Sequence, residues 1–259
     1  MGHRTIDLSS GPGTLNISLN RPERQNSIDA TMIRELHEAL DQAEAATDCR
    51  VVVLQGGDGV FCTGMDLLGA AAAGVPDQDG AARGGAEFLE LLKRFTTTPR
   101  VVVAKVDGRV AGGGVGLAAA ADFVFATPAS TFSLPEALWG LLPCCVTPFL
   151  IRRVGFQKAY AMSLSTQPVT ADQAVLCSLA DQMADDLGPA IRKLTFRASK
   201  LSGPTIGDLK RYFAKMWILS AEQEQTAVDE FARLMSSAGV GRRIADFAER
   251  QRFPWEGGS

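Results

Sequence analysis

Histidine is almost missing from this chain of 259 residues: only His3 and His37 occur. A zinc site would therefore lack its usual ligands. The five cysteines (Cys49, Cys62, Cys144, Cys145 and Cys177) form no CxxC pair and are odd in number, which argues for reduced thiols rather than a disulfide framework. Excess positive charge is missing as well. With 26 Lys+Arg against 29 Asp+Glu the net charge is -3, which excludes a general nucleic-acid binder and leaves room only for a local basic patch. Long apolar runs are also lacking: the uncharged stretch at residues 137–151 is broken by Gly140, Pro143 and Pro148, whereas a membrane-spanning helix needs about 20 apolar residues. The N-terminal MGHRTIDLSS has no apolar core for a secretory leader, and Ile6 stands where N-myristoylation needs Ser or Thr. The expectation is a cytoplasmic protein that works without metal, membrane or nucleic acid.

What is present is an ordinary globular composition, 46% hydrophobic and 21% charged, enough for one large domain or one domain with a helical extension. TLNISLN at residues 14–20 alternates apolar and polar residues, as a half-buried strand does. Asp29 is placed to cap a helix running to about Ala46, with Met32, Ile33, Leu36 and Leu40 at helical spacing. RVVVLQ (50–55) and RVVVAKV (100–106) predict buried strands followed by Gly-containing turns. Residues 69–85, rich in Ala, Gly, Pro and Asp, predict a surface loop and a candidate lid. From about Ala171 the pattern is almost entirely helical. Apolar stripes run over 185–200, 204–219, 222–236 and 242–250, and Gly239 and Gly241 separate the last two.

Two Gly-rich turns carry the chemistry. VDGRVAGGGVGLAAAAD (106–122) passes from a strand through Gly112, Gly113 and Gly114 into an Ala-rich helix. The amides at such a helix start point outward with partial positive charge, so the turn suits an anion. Gly114–Ala119 also fits the dinucleotide fingerprint GxGxxA, but Thr127 stands where the acidic residue of that motif belongs, and a dinucleotide site is the minor reading. Close helix packing would by itself explain one such turn. The second, VFCTGMD (60–66), has the same strand-turn-helix character, and two turns can aim two amides at one point, forming an oxyanion hole.

FCTGMD, then DGRVAGGGVGLAAAADFVFA, then FSLPEALWGLLP, with LNRPERQNSI ahead of them at 19–28, resemble the crotonase (enoyl-CoA hydratase/isomerase) superfamily over nearly the whole chain. The resemblance implies an α/β crotonase fold: a spiral of ββα units over residues 1–190 with the active site, then a C-terminal α-helical region, 191–259, for trimerisation and pocket cover. It implies acyl thioester substrates, no cofactor, and oxyanion amides at Met65 and Gly113. Around them Phe61, Cys62, Gly64, Asp66, Gly112, Gly114, Trp139, Cys144 and Cys145 are candidate substrate-contacting residues. Phe61 and Trp139 serve equally well as core, and packing suits the cysteines better than nucleophilic attack, since no histidine lies near them in sequence.

Hydratases of this superfamily carry two catalytic glutamates. Here the first position is Gly116, which cannot exchange a proton, and the second is kept as Glu136. Burial among Leu134, Leu138 and Trp139 should raise its pKa toward a useful range. A lone glutamate and the stretch GLLPCCVTPFLIRRVGFQKAYAMSLSTQPV (140–169) bring the sequence closest to the PksH-type dehydratases of polyketide β-branching. That likeness implies loss of water from a 3-hydroxy-3-methylglutaryl group on an acyl carrier protein, giving the 3-methylglutaconyl thioester. Decarboxylating relatives use a Lys and a His, and this chain has no Lys between Gly64 and Leu92 and no His beyond His37. Leu67-Leu68 and Glu23 replace lysines that CoA-binding relatives often carry, which favours a carrier-bound substrate. Arg24, Arg192, Lys193, Arg197, Lys200, Lys210, Arg211 and Lys215 are candidates for docking an acidic carrier, and Arg83, Lys93 or Arg94 for a distal carboxylate. A homotrimer or dimer of trimers is implied. The alternatives are an enoyl-CoA isomerase or hydratase acting on acyl-CoA, and a non-catalytic acyl-binding homologue.

Overall fold

The computed structural model describes residues 2–74, 77–217, 219–251 and 253–256. The valine-rich segments form the centre of a six-stranded sheet. β1 (Ile6–Gly11) and β2 (Thr14–Leu19) are an antiparallel pair, and β3 (Val51–Gln55), β5 (Val101–Val106), β7 (Phe123–Ala126) and β10 (Gln182–Met183) extend it in parallel, in the order β1-β2-β3-β5-β7-β10. A second sheet takes the short strands that follow each of these: β4 (Val60–Cys62), β6 (Arg109–Ala111) and β8 (Thr131–Ser133), parallel, with β9 (Val169–Thr170) antiparallel at the edge. Each strand pair is followed by a helix: α1 (Ala30–Ala45), α2 (Leu67–Ala73) with α3 (Gln78–Thr97), α4 (Gly113–Ala120) and α5 (Glu136–Trp139). This is the repeated ββα unit of the expected fold.

The reasons are local. Asp29 accepts from the Met32 amide at 2.8 Å and starts α1 where its spacing predicts. Helix α4 is apolar on every side and wholly buried from Gly114 to Ala120, as a helix enclosed between layers must be. It belongs to the main core with Leu36, Leu54, Phe61, Leu92, Phe132 and Phe149.

The predicted loop at 69–85 is instead mostly helix, its centre at 75–76 lying outside the described residues. Asp66 and Asp77 cap α2 and α3, and three glycines inside α3 (Gly80, Gly84, Gly85), each costing about 1 kcal/mol relative to Ala, are overridden by packing. A β-carbon at Gly85 would lie 2.8 Å from the Phe231 ring of α11 (Ala221–Met235), so the glycine lets two helices meet closely.

The helical tail comprises α6 (Thr147–Val154), α7 (Phe156–Ser165), α8 (Ala171–Leu176), α9 (Gly188–Ala198), α10 (Gly203–Met216), α11 and α12 (Ala238–Arg250). Here the sequence reading needs two corrections. β10 interrupts the run, because Met183 pairs with Ala126 and the Asp181 carboxylate accepts the Val124 amide. Gly239 and Gly241 lie inside the first turn of α12, which Ser237 caps, and do not separate two helices. The tail folds back on the molecule, α11 along α3 and α12 against α2 and α5.

Candidate active site

The VFCTGMD turn leaves β4 through Gly64 at φ +86°, a conformation open to glycine, and Met65 then pairs with Ile28 as an isolated parallel bridge. Ile28 donates to the Gly64 carbonyl at 2.7 Å and accepts from the Asp66 amide at 2.9 Å. Both neighbours of Met65 are thus held, and its own amide has no protein acceptor among the described residues. The second turn leaves β6 through Gly112 at φ +53°, with the Gly112 amide on the Ser133 carbonyl at 3.0 Å, and starts α4 at Gly113. The Gly113 amide is likewise without a protein acceptor among the described residues. The turns touch: a β-carbon at Gly64 would fall 2.9 Å from the Gly113 nitrogen, and one at Gly114 only 2.3 Å from the Cys62 carbonyl. The glycines therefore bring the two free amides to the same place.

Glu136 opens α5 directly after β8. A β-carbon at Gly112 would lie 3.2 Å from its Oε1, and Oε2 is buried with no hydrogen-bond partner among the described residues. Desolvation pushes the carboxyl up to about 7 against the opposing pull of its own backbone amide. Its charged form, so close to the turn, would repel a pyrophosphate, which weighs against the dinucleotide reading. The position taken by the other glutamate in two-carboxylate hydratases is apolar here: a β-carbon at Gly116 would meet Val146 at 3.0 Å, Leu92 at 3.3 Å and Phe88 at 3.5 Å. Phe88 and Ile28 also cover Gly113, at 3.3 and 3.1 Å from a β-carbon there. These four apolar residues are absent from the sequence-based candidates. The helical stripe Gly85, Leu89, Leu92 could have shown Leu92, had α3 not been read as a loop as far as Gly85.

The remaining candidates separate by environment. Asp66 accepts from the Gly69 amide at 2.8 Å and from Arg21 at 2.7 Å; burial works against the charged form, but these donors overcome it and hold the carboxyl below its ordinary range. Arg21 also reaches Asp29 at 3.1 Å and the Ser27 carbonyl, so it ties the LNRPERQNSI loop to the Met65 turn. Its role was missed in the sequence, where the Arg-Pro pair was read only for the lysine missing after it. Phe61 is fully buried in the main core, and Trp139 lies in a second apolar cluster with side chains of α11 and α12; packing is what the structure displays for both. Cys62, Cys145 and Cys144 are held as thiols by burial, pushed up to about 12, 12 and 11 respectively. Cys145 donates to the Gly85 carbonyl at 3.5 Å.

Among the basic candidates, Lys210 is buried on Asp122 at 2.7 Å and cannot dock a partner. Lys93 pairs with Glu224 at 2.9 Å, and Arg94 with Asp41, Glu44 and the His37 carbonyl, so neither is free for a substrate carboxylate. No cluster of metal-ligating side chains occurs among the described residues, and no helix among them is long and apolar enough to cross a membrane. A cavity of about 220 Å³ at the carboxyl ends of β3, β5 and β7, lined by Gln55, Lys105, Asp107 and Thr127 among others, does not reach either turn.

Known proteins with this geometry are readily found. The enoyl-CoA hydratase/isomerase family profile matches residues 10–258. Bacillaene synthase dehydratase PksH of Bacillus subtilis is 32% identical over 98% of this chain and 97% of its own length. Carnitinyl-CoA dehydratase of Proteus mirabilis is 27% identical over 98% of this chain and 99% of its own. The crystal structure of pksH from Bacillus subtilis superposes with a TM-score of 0.90 at 31% identity, covering 97% of this chain and all of that one. This chain belongs to the enoyl-CoA hydratase/isomerase family, has the crotonase fold, and is one of the family's hydro-lyases.

Proposed function

We propose that this protein removes water from a 3-hydroxy-3-methylglutaryl group carried on an acyl carrier protein, giving the 3-methylglutaconyl thioester in polyketide β-branching. The observation that carries the chemistry is the buried Oε2 of Glu136, without a partner among the described residues, beside two turn amides likewise without acceptors there and near an apolar wall. The thioester oxygen sits on the amides of Met65 and Gly113. The Glu136 carboxylate takes the α-proton, and the electron pair passes to that oxygen as an enolate. The enolate collapses to the new C=C bond as the β C–O bond breaks; the departing hydroxyl takes the proton from Glu136 and leaves as water, regenerating the carboxylate. A carboxyl near pH 7 is suited to both transfers. The glycines of the two turns let the acyl chain approach, Asp66 sets the Met65 turn, and Cys62, Cys144 and Cys145 act as packing.

The full-length likeness to a polyketide dehydratase supports the carrier-bound substrate. Exposed apolar side chains on α7 and on α9 and α10, among them Phe156, Tyr160, Leu164, Phe196 and Phe213, support self-association as a trimer or dimer of trimers. In this reading residues 1–190 hold the site, and 191–259 serve oligomerisation and cover.

Intact-protein mass spectrometry of the 3-hydroxy-3-methylglutaryl carrier protein, incubated with the enzyme, tests the proposal. Loss of one water is expected. No mass change, with double-bond migration on a 3-alkenoyl-CoA instead, would replace the dehydratase by an isomerase, and loss of carbon dioxide would make the protein a decarboxylase.

A further inference from the structure

Glu136 sits on a helix too short to hold itself. α5 is a single turn, Glu136–Trp139, and an isolated helix is marginal below roughly 12–15 residues. Among the described residues Oε2 has no hydrogen-bond partner, and the carboxyl accepts only from its own backbone amide, so its place depends on what grips the other end of the turn. That end is Trp139, and what grips it comes from the last part of the chain. Phe247 of α12 meets the indole edge-on with ring centres 5.3 Å apart, Phe253 at 6.3 Å and Trp255 at 6.2 Å. Phe253 and Trp255 stack on each other at 4.8 Å, and Phe253 packs on Phe247 at 4.9 Å. Arg243 of α12 donates to the Trp139 carbonyl at 3.3 Å, passing over Gly140, where a β-carbon would lie 2.5 Å from its Nη1.

We infer that the aromatic cluster of Phe247, Phe253 and Trp255 closing on Trp139 is a positioning device for Glu136, so that side chains more than a hundred residues away set the catalytic carboxylate. Edge-to-face aromatic contacts add stabilisation beyond that of burial. Three of them on one indole, with the Arg243 hydrogen bond, suffice to hold a one-turn helix in a single orientation. The charged and titratable groups near this turn are Arg243 itself, the Cys144 thiol, which feels the Glu136 charge, and beyond it the Glu230–Arg233 pair of α11. The cluster residues themselves carry no charge, so loosening them acts on Glu136 through hydration.

The inference rests on Glu136 as the proton-transfer group, and its test separates the two. Trp255→Ala is the first variant, because Trp255 is 50% exposed and its loss leaves the core filled; Phe253→Ala/Trp255→Ala is the stronger one, and Trp255→Phe is the conservative control. The Glu136 titration is read without substrate by carbon-13 NMR of the glutamate carboxyls, assigned with Glu136→Gln. The expected result is a Glu136 pKa falling from near 7 toward the ordinary carboxylate range in the alanine variants, with turnover down tenfold or more, KM within about twofold, and both restored by Trp255→Phe. An unchanged titration and turnover with only a lower melting temperature would reduce the cluster to a structural role and overturn the inference. A shifted titration in a protein with no dehydratase activity would keep the positioning device and remove the proposed reaction.

Discussion

The two flanks of the α4 N-terminus differ in the one property that matters for proton transfer. On the Gly112 side stands a buried carboxyl with a pKa near 7; on the Gly116 side the nearest side-chain atoms are the apolar ones of Val146, Leu92 and Phe88. In a two-carboxylate site the acid and base work is divided. Here the apolar flank leaves no room for a second carboxylate beside Gly116, and in the proposed mechanism proton removal and hydroxyl departure fall to the same group. The contrast also explains why Gly116 is more than a deletion: Leu92 and Phe88 of α3 and Val146 at the start of α6 close over it, so the wall is built from elements far apart in sequence.

The contrast can be broken from the Glu136 side first. Glu136→Gln keeps shape and loses the proton acceptor, and turnover should fall by about 10³-fold, within the usual range for a positioned acid–base group, measured as loss of water from the carrier-bound substrate. From the other side, Gly116→Glu should not create a hydratase. It places a carboxylate among Val146, Leu92 and Phe88, and chemical denaturation should show a loss of about 3 kcal/mol or more, with no gain in hydration of simple enoyl thioesters. Rapid hydration by that variant would mean the wall is not what decides the chemistry.

The linkage of Glu136 to stability sharpens the comparison. Its folded pKa, about 7, lies above its ordinary value of 4.5, so folding favours the protonated form. The stabilisation of the neutral carboxyl is complete below about pH 4.5 and is lost as pH rises through 7. Relative to Glu136→Gln, the wild-type protein should therefore lose about 3 kcal/mol between these limits and change little above them, as read from paired denaturation curves across pH. Arg21→Met addresses the Met65 turn, one side of the proposed oxyanion hole. With its ion pairs to Asp66 and Asp29 broken, the Met65 turn keeps its backbone bonds to Ile28 but loses its side-chain tie to the 19–28 loop, and turnover should fall about ten- to hundredfold with KM nearly unchanged. The smallest effect belongs to the thiols: Cys144→Ala should keep activity within about threefold, because a thiol pushed up to about 11 has almost no thiolate at neutral pH.

Much of the frame was legible because its signals are local. Asp29 as a cap, the valine runs of β3 and β5, and the glycines at 112–114 each declare their structure within a few residues. Glu136 was legible through its motif, and Gly116 through its departure from one. The apolar wall was not, since Ile28, Phe88, Leu92 and Val146 meet only after α3 has folded, and α3 carries glycines that argue against a helix until Phe231 packs on Gly85. Arg21 escaped notice for the same reason: its partner Asp66 is 45 residues away. Trp139 was read as core or pocket wall from its place beside Glu136, but its aromatic partners lie more than a hundred residues further on, where neighbouring sequence gives no hint of them.

The central claim is that Glu136 alone carries out both proton transfers, taking the α-proton and giving it to the departing hydroxyl. Its most direct test is turnover of the carrier-bound hydroxyacyl substrate against pH, for the wild-type enzyme and Glu136→Gln. The account predicts one rising limb near pH 7 in the wild type, no falling limb from a second group, and a flat residual rate in the variant. A bell-shaped profile that survives in Glu136→Gln would reveal another acid–base residue and contradict the claim.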